Sequence, residues 1–439
     1  MVGLRAVHLD FKGCAPTPGR LISLLDLFAA ARFNAVLVEW EDKFPWRVDP
    51  RFRSPEHYSE QEVDAFHQRA AALGLEIIPL VQTLGHMETV LSVPDYHALR
   101  EVPDRADGLN PLADGAAALI QRMIDDVIDR TPGLRHFHVG GDEAWTFGTH
   151  PQTRAYVERH GGAALFLHFI EPILDRLIQQ GIRPLIWHDM IARWEPAYLN
   201  RLTRKADVVI WGYHGTPTDD PQQHYNTRVI ERLHAQGARL WAGTAYKGPD
   251  AFTCDLPDPA QRRPNAVGWL EIAQRLKLKG VIATGWSRNN THAPQKAPID
   301  AALDALIESG VILHDGAPPA RGREACLELL DALGERQRFE QCHAAMRALH
   351  EARRLAWIYA QWLQEQLALN RLACRDSGAG MGLRHWRHFC RYLEEAEAAG
   401  QQMRQAFAGL LSPASIEEYL AVRLEPLRHQ HALMAQQME

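Results

Sequence analysis

Eight short apolar runs, spaced through the first 315 residues with longer helix-patterned segments between them, leave this chain very few possible folds. They are RAVHLDF (5–11), AVLVEWE (35–41), EIIPLVQT (76–83), HFHVGGDE (136–143), PLIWHDM (184–190), DVVIWGY (207–213), RLWAGTAY (239–246) and GVIATGWS (280–287). Near-continuous apolar strands alternating with amphipathic helices predict a parallel sheet covered on both faces. Eight such units predict a (β/α)8 TIM barrel, with the site at the carboxyl ends of its strands. The intervening segments carry helix signals: Ser59 and Glu62 have capping-box spacing, and Gly74 and Gly181 stand where helices should stop.

The barrel is expected to occupy residues 1–316. After APPARG (317–322) the pattern turns to long helical stretches without strands, predicting an all-helical C-terminal domain over 317–439. Within it Gly378, Gly380 and Gly382 suggest a loop and Pro413 the start of another helix. Trp357, Tyr359 and Trp362 are expected to pack against the barrel or a second subunit, so a homodimer is a possible assembly.

Composition narrows the partners. A formal net charge of -6 gives no electrostatic support for binding nucleic acid or an anionic membrane. No apolar run approaches the roughly 20 residues needed to cross a bilayer. The start, MVGLRAVHLDFKG, has no export-signal pattern, and six scattered cysteines (Cys14, Cys254, Cys326, Cys342, Cys374, Cys390) suit free thiols, so a cytoplasmic protein is expected.

The polar residues at the strand ends are Asp10 and Lys12; Glu39, Trp40, Glu41 and Asp42; Gln82 through His86; Asp142 and Glu143; Trp187, His188 and Asp189; Trp211, Tyr213 and His214; Trp241 and Tyr246; Trp286 and Arg288. Acids and aromatics dominate. Indole faces beside carboxylates suit a sugar ring, whose C–H faces pack on the rings while its hydroxyls bond to charged groups. At the fourth run two acids stand side by side behind Gly140 and Gly141. At a strand's last pleat both carboxyls can project toward the mouth, with the glycines keeping neighbouring backbone free of bulk. Glycosidic cleavage needs one group to protonate the leaving oxygen and another to stabilise positive charge near the anomeric carbon, and two carboxyls in different environments can divide that work.

HVGGDE resembles the H-x-G-G-D-E signature of the family 20 glycoside hydrolases, the β-N-acetylhexosaminidases. GHME after the third run is similar to that family's Gly-His turn, and WHDM to its tryptophan followed two residues on by an acid. VHLDFKG, VEWEDKFPW, QTLGH and AYKG look most like its hexosaminidase D group, which lacks an amino-terminal sheet domain. The resemblance implies a retaining exo-enzyme that removes terminal β-linked N-acetylglucosamine or N-acetylgalactosamine, without metal or other cofactor. The substrate's own 2-acetamido oxygen would attack the anomeric carbon. Asp142 would orient and stabilise the amide as an oxazolinium forms, while Glu143 acts as general acid and then as base. His86 would tune the acid through a polar relay. A tyrosine hydroxyl would hold the acetamide oxygen, with Tyr246 the first choice and Tyr213 its substitute. Asp10, Glu39, Trp187, Asp189, Trp211, Trp241, Trp286 and Arg288 complete the expected sugar site. The chain departs from the wider family where strand one ends in HLDFK without an arginine and strand eight in WSR rather than tryptophan-x-glutamate, which leaves recognition of O3, O4 and O6 open. Two other readings compete: a barrel that binds carbohydrate without catalysis, and a metal-dependent amidohydrolase-type barrel suggested by HFH, His188 and His214.

Overall fold

The computed structural model describes residues 2–250, 255–373 and 379–438. Eight parallel strands, β1 (Leu4–Asp10), β2 (Ala35–Glu39), β3 (Glu76–Leu80), β4 (His136–His138), β5 (Arg183–Trp187), β6 (Asp207–Trp211), β7 (Leu240–Lys247) and β8 (Gly280–Gly285), form a closed barrel in chain order. The expected TIM barrel is therefore present, and β8 closes on β1 through pairs from Leu4–Gly280 to Val7–Ala283. Alternation along each strand divides the core. Ala6, Leu37, Ile78, Leu185, Val209 and Ile282 fill the barrel interior, while Val7, Val36, Ile77, Ile186, Val208 and Val281 pack outward against the helices. The helix Glu60–Ala72 opens with the reciprocal Ser59–Glu62 capping box. Gly74 and Gly181 follow helices with left-handed φ of 70° and 77°, which a side chain would resist.

The fourth run does not continue as a strand to its acids. β4 is only three residues long, and Gly140 (φ 61°) and Gly141 (φ 81°) turn the chain out of the sheet before Asp142. Two consecutive left-handed residues cannot extend a ladder, so the acid pair is held by a turn and not by a last pleat. Trp241 is a second correction. It is the second residue of β7, at the amino-terminal end of the barrel, where its Nε1 donates to Asp207 Oδ2 at 3.0 Å. A Cβ on Gly280 would stand 2.4 Å from its ring, so this indole plugs the barrel floor far from the mouth.

Among the described residues four helices follow the barrel's last helix: Arg323–Ala332, Arg336–Ala373, Ala379–Ala406 and Pro413–Met438, the last opened by Pro413 as expected. They reach back to the strand-end loops. Asp255 accepts from Tyr419 Oη and Arg423 Nε, both at 2.6 Å, and Arg423 also donates to the Gln295 carbonyl. Two of the three expected loop glycines, Gly380 and Gly382, lie instead inside the helix Ala379–Ala406, whose packing against Arg336–Ala373 outweighs a cost of roughly 1 kcal/mol per glycine. Gly378 lies outside the described residues. Trp357 and Trp362 are 41% and 47% exposed, so the barrel does not cover them. Tyr359 stacks on His388 and Tyr392. Cys14, Cys326, Cys342 and Cys390 are free thiols, while Cys254 and Cys374 lie outside the described residues. No helix among the described residues is long and apolar enough to cross a membrane.

Candidate active site

A cavity of about 590 Å³ opens at the carboxyl ends of the strands. Its aromatic lining comes from Trp187 and Trp211, the last residues of β5 and β6, and from Tyr213 and Trp286 just beyond β6 and β8. Trp211 stacks on Tyr213 with centroids 5.2 Å apart, and Trp286 approaches Tyr213 at 6.1 Å and Trp187 at 6.3 Å. These rings form an aromatic wall of the kind on which a sugar's C–H faces pack.

Asp142 and Glu143 both line this cavity, together with His86. Their turn is pinned from below. A Cβ on Gly85 would fall 2.2 Å from the Asp142 carbonyl oxygen, and one on Gly140 would fall 2.1 Å from Gln82 Oε1. The loop after β3 and the turn after β4 thus touch backbone to backbone, which sets His86 (φ 54°) against the acids. His86 Nε2 lies 3.6 Å from Asp142 Oδ2 and 3.3 Å from Glu143 Oε2. Burial opposes protonation of this imidazole, but the charge of Asp142 and bonds to both carboxylates prevail and hold its pKa well above the usual value. Burial likewise raises the Glu143 carboxyl, yet the His86 hydrogen bond and charge outweigh it and leave Glu143 below its ordinary range. Between His86 and Glu143 the balance therefore favours the proton on His86.

Asp142 is 5% exposed, and its Oδ1 is buried without a hydrogen-bond partner. That is a buried acceptor with nothing to accept from, on a residue that lines the cavity. Asp189 braces the pair: its Oδ2 accepts from the Glu143 N–H at 2.9 Å and its Oδ1 from Trp211 Nε1 at 3.2 Å. Burial and the neighbouring Asp142 charge push its carboxyl up to about 7.

The other expected site residues divide. Tyr213 lines the cavity, and burial holds its hydroxyl protonated, a hydrogen-bond donor. Tyr246, the first choice, does not reach the cavity: its ring packs in the outer layer and its hydroxyl donates to the His8 carbonyl at 3.3 Å. Asp10 and Glu39 are committed below the cavity to Lys12, whose Nζ lies 3.2 Å and 2.6 Å from them. Burial works against ionising Glu39, but Lys12 and His8 outweigh it and keep its carboxyl well below the usual range. Buried charges need such partners, and these two acids serve to hold the Lys12 ammonium 5.4 Å over the Trp286 ring. Arg288 lines the wall, but its guanidinium donates to the Lys12 and Ala293 carbonyls and to Glu418 of the helix Pro413–Met438, so it is tied to the C-terminal helices rather than free for a sugar. Strand-end reading missed Asp250, Arg262 and Lys296, which also line the cavity. For Arg262 a signal existed: Arg262, Asn265, Ala266 and Trp269 form a buried stripe at helical spacing, and a charge on such a stripe is unusual.

The histidines that suggested a metal do not converge. His136 sits at the start of β4 with Nδ1 2.6 Å from Glu76, His138 packs on Trp187, and His188 Nε2 faces the His224 carbonyl. Among the described residues no three His, Cys, Asp or Glu side chains form a metal-binding group.

Residues 5–233 match the family described as "Glycosyl hydrolase family 20, catalytic domain". The chain is 33% identical over 296 residues to hexosaminidase D of Bos taurus, an alignment covering 65% of this chain and 84% of the bovine protein. It is 31% identical over 325 residues to hexosaminidase D of Homo sapiens, covering 70% and 66% respectively. In fold it is similar to the crystal structure of a β-N-acetylhexosaminidase from Bacteroides fragilis, with a TM-score of 0.55, 16% identity, and coverage of 76% of this chain and 71% of that one. With the barrel closed, the acid pair at its mouth and a family match across more than half of its length, the chain belongs to glycosyl hydrolase family 20 and is a glycoside hydrolase.

Proposed function

We propose that this chain is a retaining exo-β-N-acetylhexosaminidase that acts on terminal β-linked N-acetylglucosamine or N-acetylgalactosamine through the substrate's own acetamide. The buried, unpartnered Oδ1 of Asp142 is the observation that carries this reading. A buried acceptor left bare is costly unless a ligand donor completes it, and the N–H of a 2-acetamido group is such a donor. In the first step the acetamide carbonyl oxygen bonds to C1 as the C1–O bond to the leaving group breaks. The departing oxygen takes a proton from Glu143, and Asp142 stabilises the positive oxazolinium through its N–H. In the second step water attacks C1, the C1–O bond to the acetamide reopens, and the Glu143 carboxylate receives the water's proton. Two inversions give net retention. Tyr213, which lines the cavity, donates to the acetamide oxygen and holds it near C1.

His86 supplies the proton inventory. With the proton on His86 in the free protein, arrival of the leaving oxygen favours its transfer to Glu143 without exchange with solvent. Replacing His86 by Gln leaves only carboxyl groups to store it. The alkaline limb of kcat/KM, which reports the free enzyme, should therefore move to lower pH in His86→Gln. A slower enzyme with an unmoved limb would show that His86 only packs.

A thiazoline that mimics the cyclised intermediate tests the chemistry itself. It should inhibit at least 10²-fold more strongly than N-acetylglucosamine, since intermediates and transition states are bound in preference to ground states. Equal inhibition would count against participation by the acetamide, and binding of the amino sugar without any turnover would favour a non-catalytic barrel. The free, largely buried thiols support a reducing, cytoplasmic location.

A further inference from the structure

Asp250 and Arg262 line the cavity and take no part in the chemistry above. Arg262 lies in the helix Pro259–Arg275 and is 2% exposed. Its Nε pairs with Asp250 Oδ1 at 3.0 Å, while among the described residues Nη1 and Nη2 have no hydrogen-bond partner and Asp250 Oδ2 is also buried without one. Burial pulls the guanidinium pKa down against the opposing charges of Asp250 and Asp258. Other buried arginines of the chain are not left this way. Arg20 bonds to Asp300, Ser23 and Glu335, and Arg423 to Asp255, Gln295 and the Tyr419 carbonyl. A buried guanidinium whose Nε meets only Asp250 and whose Nη1 and Nη2 have no partner, beside a carboxylate oxygen with nothing to accept, is costly on its own and suits a polar ligand.

The reacting end of the sugar is already served by Asp142, Glu143 and Tyr213. What remains of a terminal amino sugar is its 3-, 4- and 6-hydroxyls. Two other cations of the cavity wall are spent, Lys12 on Glu39 and Asp10 and Arg288 on Glu418, and Lys296 is a single ammonium without the guanidinium's fork of donors. We propose that Arg262 and Asp250 form the hydroxyl-reading corner of this cavity. The guanidinium fork donates to the adjacent 3- and 4-hydroxyl oxygens, and Asp250 Oδ2 accepts from the 4-hydroxyl. A side-by-side donor and acceptor match a vicinal diol, which carries both roles at the same spacing. This inference rests on the amino-sugar reading. It implies that the terminal residue must carry a free 4-hydroxyl, and that Arg262 and Asp250 set the preference between the 4-epimers.

The test is a cycle of kcat/KM values on aryl β-N-acetylglucosaminide and its 4-deoxy analogue, for the wild type, Arg262→Lys and Asp250→Asn. Removing the 4-hydroxyl should lower the wild-type value about 10²-fold, the scale of a lost charge-assisted hydrogen bond. Arg262→Lys should lose about as much on the parent and little more on the deoxy sugar, because a lysine cannot reproduce the guanidinium fork. Asp250→Asn, which keeps the side-chain shape, should show the same failure to distinguish the two substrates and covers the case in which Arg262→Lys fails to fold. Losses that multiply, with each variant still penalising the deoxy sugar about 10²-fold, would overturn the proposal and leave these residues a structural role. A wild type that does not hydrolyse the parent glycoside would overturn the amino-sugar reading first, and this inference with it.

Discussion

Glu143→Gln is expected to lower kcat on an aryl β-N-acetylglucosaminide by about 10²- to 10⁴-fold, the usual worth of a positioned general acid, while KM changes little. The glutamine keeps the volume and the contact with His86 but has no proton to give, so the leaving oxygen must depart as an anion. The loss should therefore depend on the leaving group: smallest for a nitrophenol, which leaves readily as an anion, and largest for an unactivated alcohol. Glu143 is proposed for this role because it is the more open of the acids, with its side chain 34% exposed against 6% for Asp142. An aglycone can reach the first but not the second. A small loss, independent of the leaving group, would remove Glu143 from the acid's role.

Asp142→Asn should slow turnover by about 10²- to 10³-fold, comparable to removing one preorganised group from a charge-stabilising site. Asparagine presents either a neutral oxygen, which no longer balances the oxazolinium charge, or an NH₂ that opposes the acetamide N–H. Both outcomes weaken the cyclic intermediate more than the bound substrate, so kcat should fall more than KM rises. The substitution has a second readout. Burial and then Asp142 hold the Asp189 carboxyl at about 7, so loss of the Asp142 charge should lower the Asp189 pKa. An unchanged rate would show that the acetamide is not the nucleophile.

Much of the architecture could be read from local pattern, because a buried parallel strand needs a continuous apolar run and a turn needs residues that tolerate it. HVGGDE carried the site, although the glycines act by ending β4 and admitting the loop after β3 rather than by clearing room around a final pleat. The failures come from depth and side. Trp187 and Trp211 end their strands, whereas Trp241 is second in its own, so equal proximity to a strand end meant opposite ends of the barrel. In β7 the register shifts between Ala245 and Lys247, which upsets counting of alternate faces and leaves Tyr246 in the outer layer. Asp10 and Glu39 were placed correctly in sequence but are consumed by Lys12, a pairing of side chains from two strands that no local pattern reveals. Arg262 lies a helix away from any strand end, and only its place on a buried helical stripe marked it.

The acetamide requirement tests the central claim most directly. Rates should be compared on the aryl β-glycosides of N-acetylglucosamine, N-acetylgalactosamine and glucose, which share leaving group and linkage. At least one amino sugar should be turned over readily and the glucoside left essentially untouched, because a 2-hydroxyl supplies neither the attacking oxygen nor the N–H for Asp142. Comparable turnover of the glucoside would mean that a protein group or water attacks C1, and would contradict a mechanism in which the substrate is its own nucleophile.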